Sequence, residues 1–103
     1  MSEYTLSPFS RRDLVAAALY AAKKAGAESA GHRVIERLAA AMEMLAQLPS
    51  VGRVRDEIRP RLRSFPSNSF IIFYRRTRTG IHVHRILHQR QDVRSAFPQR
   101  PPR

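Results

Sequence analysis

The 103-residue sequence contains no cysteine, and this absence removes several classes of function at once. Without a thiol, the chain forms no disulfide, performs no cysteine-dependent catalysis and holds no zinc through cysteine. Its four glycines are scattered, so it lacks a glycine-rich loop for phosphate. No apolar run approaches the roughly 18 residues of a membrane span. The N-terminal residues do not place an apolar stretch after a cationic segment, so we expect no secretory signal, no membrane partner and a cytoplasmic location.

Acidic residues are also scarce, and the excess positive charge is unevenly distributed. Eight Asp or Glu oppose 19 Lys or Arg, which leaves a net charge of +11. Residues 1–48 carry a net charge of +1 and residues 49–103 a net charge of +10, and seventeen of the cations are Arg. Guanidinium groups match the geometry of phosphates and carboxylates, so we expect an anionic or acidic partner. The only adjacent acids, Asp56 and Glu57, would point to opposite faces of a strand and are a poor acid/base pair.

The first half of the chain predicts a strand followed by two helices. Residues 3–7 alternate polar and apolar, and Pro8 is expected to close that strand. A helix is predicted over 11–25, with Ser10 as its N-cap and Gly26 as its left-handed stop. A second helix should end before Pro49. Its apolar seam follows a 4-3-4-3 spacing through Val34, Leu38, Ala41, Leu45 and Leu48.

The second half predicts an antiparallel sheet. Residues 70–74 (FIIFY) form a continuous apolar run typical of a central strand that is buried on both faces. Residues 81–88 are predicted to form the next strand, and 59–63 are a candidate strand. The fold class is therefore α+β, in the order β-α-α-β-β-β, with a helical hairpin on one face of an antiparallel sheet. We expect one domain over 1–97, a disordered Pro/Arg-rich tail over 98–103, and a second sheet face that is either partly polar or covered by a partner.

Two groups of side chains in the predicted strands suggest binding sites. His82, His84 and His88 would share one face of a strand, but with only Asp92 nearby we expect no metal site and no cofactor. Arg59, Arg61 and Arg63 alternate and would share a face, where they form either an anion-binding surface or a solvated edge that discourages aggregation.

Six segments, in this order, resemble the ParE branch of the ParE/RelE toxin superfamily. They are residues 4–14 (YTLSPFSRRDL), 45–52 (LAQLPSVG) with Arg53, 55–57 (RDE), 62–64 (LRS), 72–75 (IFYR) and 85–92 (RILHQRQD). Each motif alone is weak, whereas the ordered set is specific. The resemblance implies a helical hairpin packed on an antiparallel sheet, as the pattern of the residues also predicts.

The resemblance further implies the toxin of a bacterial toxin–antitoxin pair, in a hetero-oligomer with a ParD-like antitoxin. ParE-type members inhibit DNA gyrase, whereas RelE-type members cut messenger RNA on the ribosome. Ile71 stands where a RelE-type strand has arginine, and the C-terminal aromatic is Phe97, which cannot exchange a proton. Gyrase inhibition without bond chemistry is therefore the first hypothesis. A ribosome-dependent ribonuclease is the alternative, and a basic nucleic-acid-binding module is a third.

Site residues follow from these hypotheses. The target-binding set is Arg63, Arg85, His88, Arg90 and Asp92, of which Arg63, Arg85, His88 and Arg90 would be catalytic in a ribonuclease. The chain's charge suits an acidic partner that folds as it binds. The antitoxin-binding set is Val15, Leu19 and Met42 on the helices with Arg59 and Arg61.

Overall fold

The computed structural model describes residues 2–98 and shows a helical hairpin on one face of a five-stranded sheet. The tail, apart from Pro98, lies outside the described residues, as does Met1. The elements are β1 (Glu3–Leu6), α1 (Pro8–Ala25), α2 (Glu28–Gln47), a 3₁₀ turn (Pro49–Val51), β2 (Arg53–Val54), β3 (Arg63–Ser67), β4 (Phe70–Arg76), β5 (Gly80–His88) and α3 (Val93–Ala96).

The sheet has the order β1-β5-β4-β3-β2 and is mixed. The strands from β2 to β5 form an antiparallel meander, but β1 pairs in parallel with β5. The α+β class, the helical hairpin and the antiparallel meander are confirmed, and the parallel pairing of β1 with β5 is a feature of the described sheet that the sequence did not indicate. Helices α1 and α2 run out and back along one face of the sheet. The chain then re-enters the sheet as β2, at the edge opposite β1, and the last strand, β5, pairs with β1.

Helix α1 begins three residues earlier than predicted. Its N-cap is Ser7, whose Oγ accepts from the amide of Ser10 at 3.0 Å. Pro8 occupies the first helical position, where a backbone N–H would have no partner within the helix and where the fixed φ of proline is already helical. Ser10 is therefore inside the helix and fully buried, with its hydroxyl 3.1 Å from the carbonyl oxygen of Val83. Gly26 ends α1 in the left-handed conformation, as predicted.

The helical face of the sheet holds the main core. Leu38, Met42 and Leu45 of α2 pack with Ile72 and Tyr74 of β4. The strand prediction for residues 70–74 is confirmed, because Ile72 and Tyr74 face this core while Phe73 faces the other side. Leu48, which was assigned to the seam of α2, lies past the end of the helix and is more than half exposed.

The second face of the sheet carries a small core of its own. Leu62, Phe73, Leu87 and Phe97 are buried together, and the rings of Phe73 and Phe97 lie 5.2 Å apart. The chain covers part of this face itself, through the segment before β3 and through α3. Arg59, Arg75, His84 and Arg85 lie on another part of this face, which is therefore partly polar, as expected.

Residues 59–63 do not form a strand. The segment 55–62 is a series of turns, and Arg61 adopts a positive φ of 66° while its amide donates to Oδ1 of Asp56 at 2.9 Å. Only Arg63 belongs to β3. The predicted alternation of Arg59, Arg61 and Arg63 on one face is therefore wrong, since alternation requires an extended backbone.

A β-bulge in β5 decides where the histidines lie. Phe73 pairs with Arg85 but Tyr74 pairs with Val83, so His84 has no partner on β4. An extra residue reverses the facing of everything beyond it. Val83 and Ile86, three residues apart, consequently share the main core. The prediction that His82, His84 and His88 share one face is wrong, because His88 lies beyond the bulge.

Candidate functional site

The outer surface of α1 exposes apolar side chains. Val15 is 57% and Leu19 65% exposed, and Tyr20 beside them is also more than half exposed. Val15 and Leu19 are one helical turn apart and therefore form one stripe. Met42, by contrast, is 0% exposed within the main core, so it is not available to an antitoxin in this conformation. Of the three helical residues assigned to antitoxin binding, only Val15 and Leu19 lie at the surface.

His88 and Arg90 line a cavity of about 530 Å³ between α1 and the end of β5. The His88 ring stands edge-on to the ring of Phe70, 5.5 Å between centroids, and its Nδ1 accepts from the amide of Arg90 at 3.2 Å. Tyr20 also lines this cavity, so it continues into the exposed surface of α1. The structure therefore brings together two of the five residues assigned to target binding.

Arg85 is held in an ion pair with Asp13 of α1. Its Nε and Nη2 donate to the two carboxylate oxygens at 2.7 and 2.9 Å, and Oδ2 also accepts from the amide of Ile86. The hydrogen bonds to Asp13 raise the pKa of the Arg85 guanidinium, against the opposing effect of burial. From the sequence, Asp13 was included only as a member of the motif at residues 4–14 (YTLSPFSRRDL). Its place in the first motif was the signal available in the sequence, but nothing local indicated a partner 72 residues away.

Arg63 and Tyr74 form hydrogen bonds to the segment that follows α2. Nη1 of Arg63 donates to the carbonyl oxygen of Gly52 at 2.7 Å. The buried hydroxyl of Tyr74 donates to the carbonyl oxygen of Pro49 at 2.8 Å and accepts from the amide of Gly52 at 2.9 Å. Burial raises the pKa of the Tyr74 hydroxyl. These bonds join the LAQLPSVG and IFYR motifs, and the position of the Tyr74 ring leaves no space for a Cβ at Gly52.

The second face holds a basic pocket formed where β4 and β5 meet the 55–62 segment. This second-face pocket has a volume of about 540 Å³, and Arg59, Arg75, His84, Arg85 and Phe9 are among its lining residues. Burial lowers the pKa of His84 to about 4, helped by the positive charges of Arg75, His82 and Arg59. His84 is therefore neutral at pH 7. Arg75 and His84 were not among the residues assigned to a site from the sequence.

The remaining assigned residues line neither of these two pockets. Arg61 and Arg63 line another concavity, of about 700 Å³, together with Arg75, Arg76 and Asp56. Asp92 is the N-cap of α3, where Oδ1 accepts from the amide of Arg94 at 3.0 Å. Between Ser2 and Pro98 there is no cluster of three or more His, Cys, Asp or Glu that would suit a metal ion. The same part of the chain has no helix that is long and apolar enough to cross a membrane.

The order of elements and the motifs on them agree with a known family. The family model described as the ParE toxin of the type II toxin–antitoxin system parDE matches residues 4–93. The chain belongs to the ParE toxin family. It is 38% identical over 93 residues to Toxin ParE1 of Mycobacterium tuberculosis, covering 89% of this chain and 94% of that toxin.

Two further comparisons agree with this assignment. Toxin ParE1 of Caulobacter vibrioides is 33% identical over 97 residues, which is 92% of this chain and 97% of that toxin. A solved structure, the chromosomal ParDE TA system from P. aeruginosa, superimposes with a TM-score of 0.70 at 19% identity and covers 85% of this chain and 96% of that one. At that identity the solved structure supports the fold alone. The resemblance inferred from the six motifs is confirmed, and the chain is a toxin of a ParDE type II toxin–antitoxin system.

Proposed function

We propose that this ParE-family toxin inhibits DNA gyrase by binding and is neutralised by a cognate ParD-like antitoxin. The observation that supports the proposal is the family match, which extends over residues 4–93. The two pockets that contain His88 and Arg85 carry arginines and an exposed aromatic ring, which suits a target that itself holds DNA.

The placement of the basic residues speaks against the alternative, a ribosome-dependent ribonuclease. A general acid and base must both reach the reacting group within hydrogen-bond distance. Arg85 is engaged by Asp13, Arg63 by the carbonyl oxygen of Gly52, and only His88 and Arg90 share a cavity. Phe97 is buried against Phe73, so it offers neither a hydroxyl nor access to substrate.

The purified chain is expected to stop DNA supercoiling by gyrase and to leave messenger RNA on translating ribosomes uncut. We expect Arg90→Gln to weaken the inhibition at least tenfold, because Arg90 is exposed at the rim of the His88 cavity. Arg78→Gln, which removes the same charge from an exposed turn, is the matched control and should keep full potency. Supercoiling at the normal rate in excess toxin would refute gyrase inhibition, and codon-phased cleavage would favour the ribonuclease.

The antitoxin surface that we propose is the outer stripe of α1. An amphipathic helix binds by placing apolar residues against such a stripe, and burial of one large apolar side chain contributes about 1.5–3 kcal/mol. Val15 and Leu19 supply the apolar contacts. Arg59 and Arg61 lie on the 55–62 segment. An antitoxin that continues from α1 to this segment would place acidic residues against the two arginines. Such a partner also complements the net positive charge of residues 49–103.

Replacing Leu19 by glutamate is expected to lower antitoxin affinity by about 30-fold or more, since it removes an apolar contact and adds a charge that must be desolvated. Val51→Glu introduces the same charge at an exposed apolar position in the 3₁₀ turn and serves as the control. Isothermal titration with the co-expressed antitoxin, after separation of the complex, measures both affinities. Equal loss in the two variants would show that charge alone, not the α1 stripe, governs binding.

A further inference from the structure

The second-face pocket concentrates positive charge without any carboxylate of its own. Its charged lining residues are Arg59, Arg75 and Arg85, and within residues 2–98 no Asp or Glu lines it. Asp13, outside the pocket, neutralises only Arg85. Arg59 donates from Nη2 to the carbonyl oxygen of Pro98 at 2.8 Å. This bond satisfies one donor, but the carbonyl group is neutral and does not balance the positive charge of Arg59. Two guanidinium charges in the pocket are therefore not balanced by a carboxylate among its lining residues.

Arg75 has a donor that the described part of the chain does not satisfy. Its Nε is buried, yet it has no hydrogen-bond partner. Buried donors are nearly always paired, so this side chain has a donor left for an acceptor from outside the described part of the chain. Arg75 and Arg59 both depress the pKa of His84 through their charge, which places all three groups within electrostatic reach of one another. An oxyanion in this pocket would accept from Arg75 and would be close to the other two.

An aromatic ring stands at the rim of the same pocket. Phe9 is 57% exposed, although it is a large apolar side chain. The guanidinium carbons of Arg85 and Arg12 lie 5.7 and 5.8 Å from the centre of its ring. Exposed aromatic rings beside arginines are the usual platform on which nucleic-acid bases stack. His84, neutral at pH 7, can offer one donor or one acceptor without adding charge.

We propose that the second-face pocket binds the phosphate group of a nucleotide or of a phosphorylated nucleic-acid end, with the base against Phe9. Two unbalanced guanidiniums match a phosphate monoester, which carries close to two negative charges at neutral pH. A carboxylate would balance only one of them. The volume of about 540 Å³ lies within the range of small-ligand pockets. The proposal concerns binding alone, and it stands whether or not gyrase is the target.

Titration of the full-length toxin with nucleotides tests the proposal. We expect adenosine 5′-monophosphate to bind at least tenfold more tightly than inorganic phosphate, and adenosine to show no binding, as measured by calorimetry and by NMR shifts of the His84 ring. A short oligonucleotide with and without a 5′-phosphate distinguishes a nucleic-acid end from a free nucleotide as the source. N-acetylglutamate, as a probe for an acidic peptide, should bind at least tenfold more weakly than the monophosphate.

Variants identify the pocket. Arg75→Gln should lower affinity for the monophosphate at least tenfold, and Arg75→Lys should restore only part of it because lysine lacks the forked donors. Arg78→Gln, with the same change in charge at an exposed turn, should bind as the parent does. An unchanged thermal unfolding temperature of the Arg75 variants shows that their fold is intact. If Arg75→Gln does not fold, Phe9→Ala replaces it in the test and should also lower affinity for the monophosphate. The proposal is overturned by equal binding of adenosine, by tighter binding of N-acetylglutamate, or by equal losses in the Arg75 and Arg78 variants.

Discussion

Replacing Asp13 by alanine is expected to lower the free energy of unfolding by about 3 kcal/mol, as removal of one partner of a buried ion pair does. The Asp13 side chain is 12% exposed and accepts three hydrogen bonds, two from Arg85 and one from the amide of Ile86. The substitution leaves the Arg85 guanidinium partly buried without its counter-charge and leaves a backbone amide unpaired. Urea denaturation followed by circular dichroism measures the loss.

Glu43→Ala is the matched control for Asp13, because it removes a carboxylate from an exposed position on the other helix. We expect a change within about 0.5 kcal/mol there, as at most surface sites. A double-mutant cycle with Arg85→Ala should show a coupling of roughly 1–3 kcal/mol between the two residues. If Asp13→Ala costs no more than Glu43→Ala, the ion pair does not hold α1 to the bulge of β5.

Replacing Gly52 by alanine is expected to destabilise the protein by about 2–3 kcal/mol, as overpacking of a filled core does. A Cβ at this position would overlap the hydroxyl of Tyr74 and come within 2.8 Å of two of its ring carbons. Tyr74 is wholly buried and cannot move aside without losing its bonds to the 3₁₀ turn. The shift in the urea midpoint at constant slope reports the change.

Ser50→Ala provides the control for Gly52, since Ser50 is an exposed residue of the same turn and should tolerate the change. Tyr74→Phe removes the overlapping oxygen, at a cost of about 1–3 kcal/mol for the two backbone groups it leaves unpaired. The double variant should be less destabilised than the sum of the two single variants, because one change relieves part of the clash in the other. Strict additivity would show that contact with Tyr74 is not the reason glycine is present.

The parts of the fold that were predicted correctly rest on local patterns. The second helix follows from an apolar spacing of four and three residues, and Gly26 ends the first helix because it adopts a left-handed backbone. Residues 70–74 were recognised as a central strand because an unbroken run of strand formers must be buried on both faces. Such patterns are contained within a few turns of the chain, so they need no knowledge of distant segments.

The failures share a different physical origin. Ser10 was predicted as a cap from its neighbours in sequence, whereas its hydroxyl donates to the backbone of Val83, which is 73 residues away along the chain. Residues 59–63 were taken as a candidate strand because their alternating arginines resemble one, whereas Asp56 accepts from the amide of Arg61 and holds this part of the chain in turns. No local sequence pattern indicates the bulge at His84. This bulge alone places the side chain of His88 on the opposite face of the sheet from His82 and His84.

The sequence by itself determined the α+β class, the helical hairpin, the central strand and, through six ordered motifs, the ParE family. Periodicity and turn chemistry are properties of neighbouring residues, so they indicated the elements, and the family followed from the resemblance of the ordered motifs. The tertiary structure alone decided which basic side chains remain available for binding. Asp13 balances the charge of Arg85, and Gly52 and Tyr74 fix the turn beside Arg63. The bulge brings Arg85 into the same second-face pocket as His84. These outcomes depend on contacts between residues far apart in the chain, which local pattern does not encode.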